Sequence, residues 1–188
     1  LGTARVDGQP LAGRQMVEVL GALGLDWTTL GNHEFDVSEE RFRAHLGEAK
    51  FGIVSSNVDD GNGQPFAGLQ TSAVVPVQAG GRTLRIGLVG LTIDSNRKPW
   101  VRYQDPIESA REQVAKLRGK TDAIIALTHL SLARDSALAA AVPEIDLILG
   151  GHEHENWHIF RGPKFVPIVK ADANFRSLAI VTLRFAAP

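Results

Sequence analysis

Apolar residues recur along the chain at two spacings, one typical of helices and one typical of strands. Residues 11–23 place them at helical spacing and predict a helix, which Gly24 ends. Residues 38–49 predict a second helix with Ser38 as its N-cap. Asp105 and Pro106 predict the start of a third, and residues 132–141 predict a fourth.

Short apolar runs between these helices predict strands. We predict strands over residues 27–30, 53–58, 73–79, 82–91, 123–128, 145–149, 166–171 and 178–185. Gly80 and Gly81 join two of them into a hairpin, and Pro76 places the first of these two at an edge or a bulge. The alternation of strands and helices predicts an α/β fold with a mixed sheet, with residues 1–188 in one domain.

Composition narrows the possible functions. The net charge of −1 gives no basic field, so we expect no binding to nucleic acid duplexes. No apolar run is long enough to predict a transmembrane segment, and no signal peptide pattern opens this chain. The chain has no cysteine, so any bound metal must be held by His, Asn, Asp or Glu side chains.

Polar side chains follow three of the predicted strands. Asn32 and His33 come after residues 27–30, His129 directly follows the strand at 123–128, and His152 and His154 come after residues 145–149. Ligands bind at the carboxyl ends of strands in open α/β sheets, so these loops converge if the strands are parallel neighbours. Taken alone, each loop is more typical of an ordinary turn or a hydrogen-bonded histidine than of a ligand site. Together they predict a site, because they hold four of the six histidines.

The order and spacing of these motifs resemble a known family. Asn32-His33-Glu34, the single His129, and Gly151-His152-Glu153-His154 are similar to the motifs of calcineurin-like metallophosphoesterases. Phe35-Asp36 extends the first motif as in the 5′-nucleotidase branch, and Ser56-Asn57-Val58 also resembles that branch. The resemblance implies a layered α/β/β/α sandwich with mixed sheets.

The resemblance also implies roles for these residues. The expected metal ligands are Asn32, His129, His152 and His154, and the expected cofactors are two divalent ions, with Mn, Zn, Mg and Ca not distinguished. His33 is expected beside the scissile phosphate with Asp36 orienting it. We expect Glu34 and Glu153 to accept hydrogen bonds that orient neighbouring histidines.

The implied activity is two-metal hydrolysis of a small phosphate ester, most often a nucleotide, of the 5′-nucleotidase or 2′,3′-cyclic nucleotide phosphodiesterase type. The resemblance further implies a periplasmic, secreted or cell-surface location. In the family a separate C-terminal domain often recognises the substrate, and we expect residues 1–188 not to include it. Oligomeric state and the identity of the ester are left open.

One departure from the family pattern leads to an alternative hypothesis for the function. The family's Asp-x-His and Gly-Asp motifs precede the long helix, and residues 1–10 supply neither, since Asp7 fits neither pattern. We therefore expect an N-terminally incomplete domain that lacks the first metal-binding motifs. The alternative function is a non-catalytic remnant, or a weak single-metal or phosphate-binding domain.

Overall fold

A computed structural model describes residues 4–185 of the chain. The helices are α1 (Arg14–Ala22), α2 (Glu39–Glu48), α3 (Pro106–Leu117) and α4 (Leu132–Ala141), with a 3₁₀ helix at Asn32–Asp36. The strands are β1 (Arg5–Val6), β2 (Gln9–Pro10), β3 (Trp27–Thr28), β4 (Gly52–Ile53), β5 (Val58–Asp60), β6 (Ala73–Ala79), β7 (Arg82–Thr92), β8 (Val101–Tyr103), β9 (Ala123–His129), β10 (Leu147–Gly150), β11 (Trp157–Arg161) and β12 (Val166–Lys170).

Six strands form one mixed sheet in the order β11-β12-β10-β9-β7-β6. The four central strands are parallel, and β6 and β11 are antiparallel strands at the two edges. The register pairs Thr92 with His129 and pairs Gly150 with both Thr128 and Lys170. The carboxyl ends of β7, β9, β10 and β12 therefore lie side by side along one edge.

Side chains alternate between two cores on the opposite faces of this sheet. Ile124 and Ala126 of β9 pack with α3 and α4 on one face. Ile125 and Leu127 pack on the other face with Trp27 of β3. A third cluster lies beyond β4, where Phe35, Phe42 and Phe66 pack together. The layers thus run from α3 and α4 through the large sheet and the β3–β4 pair to α2.

The predicted strand at 53–58 is interrupted because the chain there crosses the large sheet. Ser56 N donates to Gly90 O at 2.7 Å, and Ser56 Oγ accepts from Gly90 N at 3.0 Å. A Cβ on Gly90 would lie only 2.0 Å from Val54 O, so the crossing requires glycine at that position. These hydrogen bonds use backbone groups that a continuous strand would need for its own ladder. The segment therefore forms two short strands, β4 and β5.

Most predicted elements are confirmed, including the mixed α/β class and the hairpin of β6 and β7. Ser38 caps α2 by accepting from Arg41 N, and Asp105 caps α3 by accepting from Ile107 N and Glu108 N. The predicted strand at 178–185 is wrong, because this segment forms no ladder with β6. Leu178 and Ile180 are more than four-fifths exposed, so apolar alternation alone did not bring the segment into the sheet.

Candidate active site

Asn32 and His129 meet between the two strand layers. His129 continues the alternation of Ile125 and Leu127, so its ring points to the face that carries the β3–β4 pair. Asn32 begins the 3₁₀ helix just after β3 on that side. Nε2 of His129 lies 2.8 Å from Oδ1 of Asn32. Residues that are 97 positions apart in sequence therefore share one contact.

Glycines make room for this contact. A Cβ on Gly31 would lie 2.9 Å from Cε1 of His129, and one on Gly151 would lie 3.3 Å from its Nδ1. The backbone of Gly31 is extended, with φ −100° and ψ 178°. Glycine is therefore needed there for space and not for an unusual backbone angle.

His152 joins this pair, and His154 follows it by two residues with an exposed side chain. The rings of His129 and His152 are edge to face with centroids 5.2 Å apart. The His154 ring makes no hydrogen bond in the described part of the chain. Both histidines have positive φ, 83° for His152 and 61° for His154, which turns this loop sharply. Among residues 4–185, no three His, Cys, Asp or Glu side chains are grouped closely enough to hold a metal ion. The structure thus brings Asn32, His129 and His152 together, and the exposed His154 follows two residues later in the same loop.

His33, Asp36 and Asn96 form a second polar group beside Asn32. Nδ1 of His33 lies 2.7 Å from Oδ2 of Asp36. Asn96 Nδ2 donates to Oδ1 of Asp36 at 2.7 Å and to Asn32 O at 2.9 Å. Both oxygens of Asp36 are thus engaged, and the His33 ring is held with Nε2 as its free nitrogen. The His33 side chain is 60% exposed, so that nitrogen is open to a ligand from solvent.

Asn96 was missed by sequence reasoning. It lies in the loop after β7, whose carboxyl end is at the same edge as the other three loops. Its φ of 54° is left-handed, a region in which Asn is more common than most residues. The signal that could have found it is the polar run 94–97 directly after a buried strand.

Thr92 and Asn57 fix the loop of Asn32 to the large sheet. Asn57 accepts from Thr92 N at 2.8 Å and donates to Thr92 O at 2.9 Å, and all of these atoms are buried. Thr92 Oγ1 donates to Leu30 O at 2.8 Å, two residues before Asn32. This network ties the end of β7 to the strand layer that carries Asn32.

Glu34 and Glu153 do not orient histidines, which corrects the sequence interpretation of both. Glu34 Oε2 accepts from Gly31 N at 2.5 Å and so caps its own 3₁₀ helix, and burial raises the pKa of this carboxyl. Glu153 accepts from Leu132 N and, at 2.5 Å, from Lys170 Nζ. The hydrogen bonds of these carboxylates thus go to backbone amides and a lysine.

The donor set at Asn32 and His129 fits a divalent ion. An imidazole nitrogen and an amide oxygen are both ligand types for divalent ions, and the 2.8 Å that separates them is also a hydrogen-bond distance. Burial, together with the charge of His152, lowers the pKa of His129 to about 4. The ring is therefore neutral near pH 7 and has a lone pair available for a metal.

A family model described as calcineurin-like phosphoesterase matches residues 11–156 of the chain. The chain belongs to the calcineurin-like phosphoesterase family. This is a family of hydrolases that generally use divalent metals, which confirms the recognition made from the motifs. No helix within residues 4–185 has both the length and the apolar character needed to cross a bilayer.

Several relatives of this calcineurin-like phosphoesterase have names of nucleotide-processing enzymes. An apyrase from Tabanus yao is 37% identical over 140 residues, which are 72% of this chain and 25% of the apyrase. A 2′,3′-cyclic-nucleotide 2′-phosphodiesterase/3′-nucleotidase from Haemophilus influenzae is 29% identical over 177 residues, 83% of this chain and 26% of that enzyme. The crystal structure of a 5′-nucleotidase precursor from Thermus thermophilus superposes with a TM-score of 0.72 at 30% identity, covering 86% of this chain and 35% of the other. The chain thus spans about a quarter to a third of the length of these relatives.

Proposed function

We propose that this domain supplies one side of a two-metal centre that hydrolyses small phosphate esters, with nucleotides as the substrate class. The observation that carries the proposal is the convergence of Asn32, His129 and His152 beside the His33–Asp36 pair. Bound divalent ions in such a site supply a nucleophilic hydroxide near neutral pH and neutralise charge on the phosphoryl group.

The metal ligands proposed from this chain are Asn32, His129, His152 and His154. Asn32 offers Oδ1, and His129 offers the lone pair of its neutral ring. His152 lies against the His129 ring. His154 is two residues further along the same loop, and its family motif assigns it to the same centre.

His33 holds and moves the proton in this proposal. Its Nδ1–H donates to Asp36 Oδ2, which fixes the ring plane and leaves the exposed Nε2 as the atom that would face the leaving group. When both nitrogens carry protons, Nε2–H passes its proton to the leaving alkoxide oxygen as the ester bond to phosphorus breaks. The Nδ1–H bond to Asp36 is kept throughout. A general acid of this kind contributes about 10²–10⁴-fold to the rate.

The test is hydrolysis of nucleoside monophosphates and 2′,3′-cyclic nucleotides with Mn²⁺, Zn²⁺ or Mg²⁺. Both the 188-residue chain and the full encoded protein that contains it are assayed, because the relatives are longer. We expect phosphate release from the full protein and a loss of about 10²-fold or more in His33→Asn. Absence of release with every metal would refute the proposal.

Elemental analysis separates this proposal from the alternative of a remnant or weak single-metal domain. Two tightly bound divalent ions per full protein support the two-metal centre, and one weakly bound ion supports the alternative.

The family likeness also supports a location outside the cytoplasm, which fractionation of the native cells tests. Recovery of the protein only from the cytosol would contradict it.

A further inference from the structure

Lys170, at the carboxyl end of β12, has a buried ammonium group with four partners. Its side chain is 1% exposed and follows Val166 and Ile168 on the face of the sheet that packs against α3 and α4. It is therefore on the opposite side of the sheet from the His129 ring, and it cannot reach a substrate there. Burial of a lysine is costly unless each N–H of its ammonium group has an acceptor, so the acceptors of Lys170 indicate its structural role.

Two of these partners are backbone carbonyls beside the site. Nζ donates to Leu130 O at 2.6 Å, the residue after His129, and to Gly151 O at 2.8 Å, the residue before His152. The rings of these two histidines are the pair in edge-to-face contact. One ammonium group thus fixes the backbone next to both rings.

The other two partners are carboxylates that hold the ammonium group in place. Nζ lies 2.5 Å from Glu153 Oε2, between His152 and His154 in sequence, and 2.8 Å from Asp135 Oδ2 of α4. Glu153 also accepts from Leu132 N at the start of α4. The absence of a side chain at Gly150 permits this packing, because a Cβ there would lie 3.0 Å from Cε of Lys170.

We infer that Lys170 is a positioning residue that sets the distance between the His129 and His152 rings, and that the active site needs it although it touches no reacting atom. This inference rests on the proposed function for its role in the reaction. The geometric part stands on the four contacts of Nζ. A helix, two loops and a strand end meet at this single group.

The test must separate positioning from stability. Lys170→Met alone leaves the fully buried carboxylate of Asp135 without a counter-ion and is expected to unfold the domain. The double variant Lys170→Met/Asp135→Leu replaces the fully buried Lys170–Asp135 pair with apolar groups of similar volume, which such sites often tolerate, and Glu153 stays partly exposed with its bond from Leu132 N. It keeps the core and removes the donor to Leu130 O and Gly151 O. Asp135→Asn is the matched control, because it removes one charge and keeps all the other contacts of Lys170.

The readout is the nuclear Overhauser effect between the ring protons of His129 and His152, which requires neither metal nor activity. We expect this effect in the wild type and in Asp135→Asn and its loss in the folded double variant. Lys116→Met on the surface of α3, where Lys116 pairs only with Glu112, should leave it unchanged. Retention of the effect in the folded double variant overturns the inference.

A measurement on the wild type covers the case in which the double variant does not fold. Scalar couplings across the hydrogen bonds should join ¹⁵Nζ of Lys170 to the carbonyl carbons of Leu130 and Gly151. Absence of both couplings overturns the inference. In the active full protein, the double variant should lose about 10- to 100-fold in kcat/KM, and Asp135→Asn much less. If the wild type hydrolyses no ester, the proposed function is refuted. The nuclear Overhauser effect between the His129 and His152 rings still tests the role of Lys170 in that case.

Discussion

Gly31→Ala should push His129 away from Asn32 and lower the rate. The new Cβ would lie 2.9 Å from His129 Cε1, whereas ordinary contacts begin at 3.4 Å, so the ring must retreat by about 0.5 Å. The extended backbone of Gly31 accepts alanine, so the effect comes from this contact and not from a strained φ. A misplacement of about 1 Å in an active site costs on the order of 10²-fold, so we expect about a tenfold fall in kcat/KM.

The same variant should have a modest cost in stability. The Cβ would also lie 2.8 Å from Glu34 Oε2, which now accepts from Gly31 N. Weakening that hydrogen bond costs about 1 kcal/mol, and the crowding adds about 1 kcal/mol more because the neighbours are side chains that can move. Thermal unfolding should therefore shift by several degrees, about 2–4 °C for each kcal/mol in a domain of this size.

The assay is nucleotide hydrolysis by the full encoded protein, with thermal unfolding measured in parallel. Gly47→Ala is the control, because a Cβ at Gly47 in α2 would meet nothing within 4 Å. That variant should keep full activity and gain up to about 1 kcal/mol in stability. A Gly31→Ala protein with the kcat/KM of the wild type would show that the placement of the His129 ring does not limit the reaction.

Three further predictions concern the supporting network. Asn96→Asp should lower kcat more than Asn96→Gly, because the new carboxylate is repelled by Oδ1 of Asp36, whereas glycine accepts the left-handed φ and removes only the hydrogen-bond donor. Equal values of kcat for the two variants would contradict this prediction. Gly90→Ala should destabilise the domain by more than about 3 kcal/mol in denaturant unfolding, because its Cβ would meet the backbone at 2.0 Å, and an unchanged midpoint would contradict the crossing described above. The free energy of unfolding should fall as pH drops from 6.5 to about 4, because over this range the His129 ring is protonated in the unfolded chain and neutral in the folded one. A His129→Gln protein with the same fall over this range would show that other groups cause it.

The parts of this fold that could be predicted from sequence are those set by local chemistry. The helix α4 has the predicted bounds, and Asp105 and Pro106 open α3 as expected. The three histidine loops could be placed because each follows an apolar strand directly. Their approach to one another required the parallel order of β9 and β10, which periodicity suggests but does not fix.

The parts that could not be predicted depend on contacts distant in sequence. Lys170 ends an apolar strand, and its sequence gives no sign that Asp135 and Glu153 surround its ammonium group. The segment at 178–185 has the alternation of a strand but makes no ladder with β6, because pairing depends on a partner and not on pattern alone. The roles of Glu34 and Glu153 were wrong for the same reason, since carboxylate direction follows loop geometry.

The central claim is that loops after β3, β9 and β10 bind one divalent ion together. Titration of the isotopically labelled protein with Mn²⁺, which broadens nearby signals, tests this most directly. We predict that the side-chain amide of Asn32 and the rings of His129 and His152 broaden together at the lowest Mn²⁺ concentrations. Broadening that first affects other residues, or only one of these three, would contradict the claim.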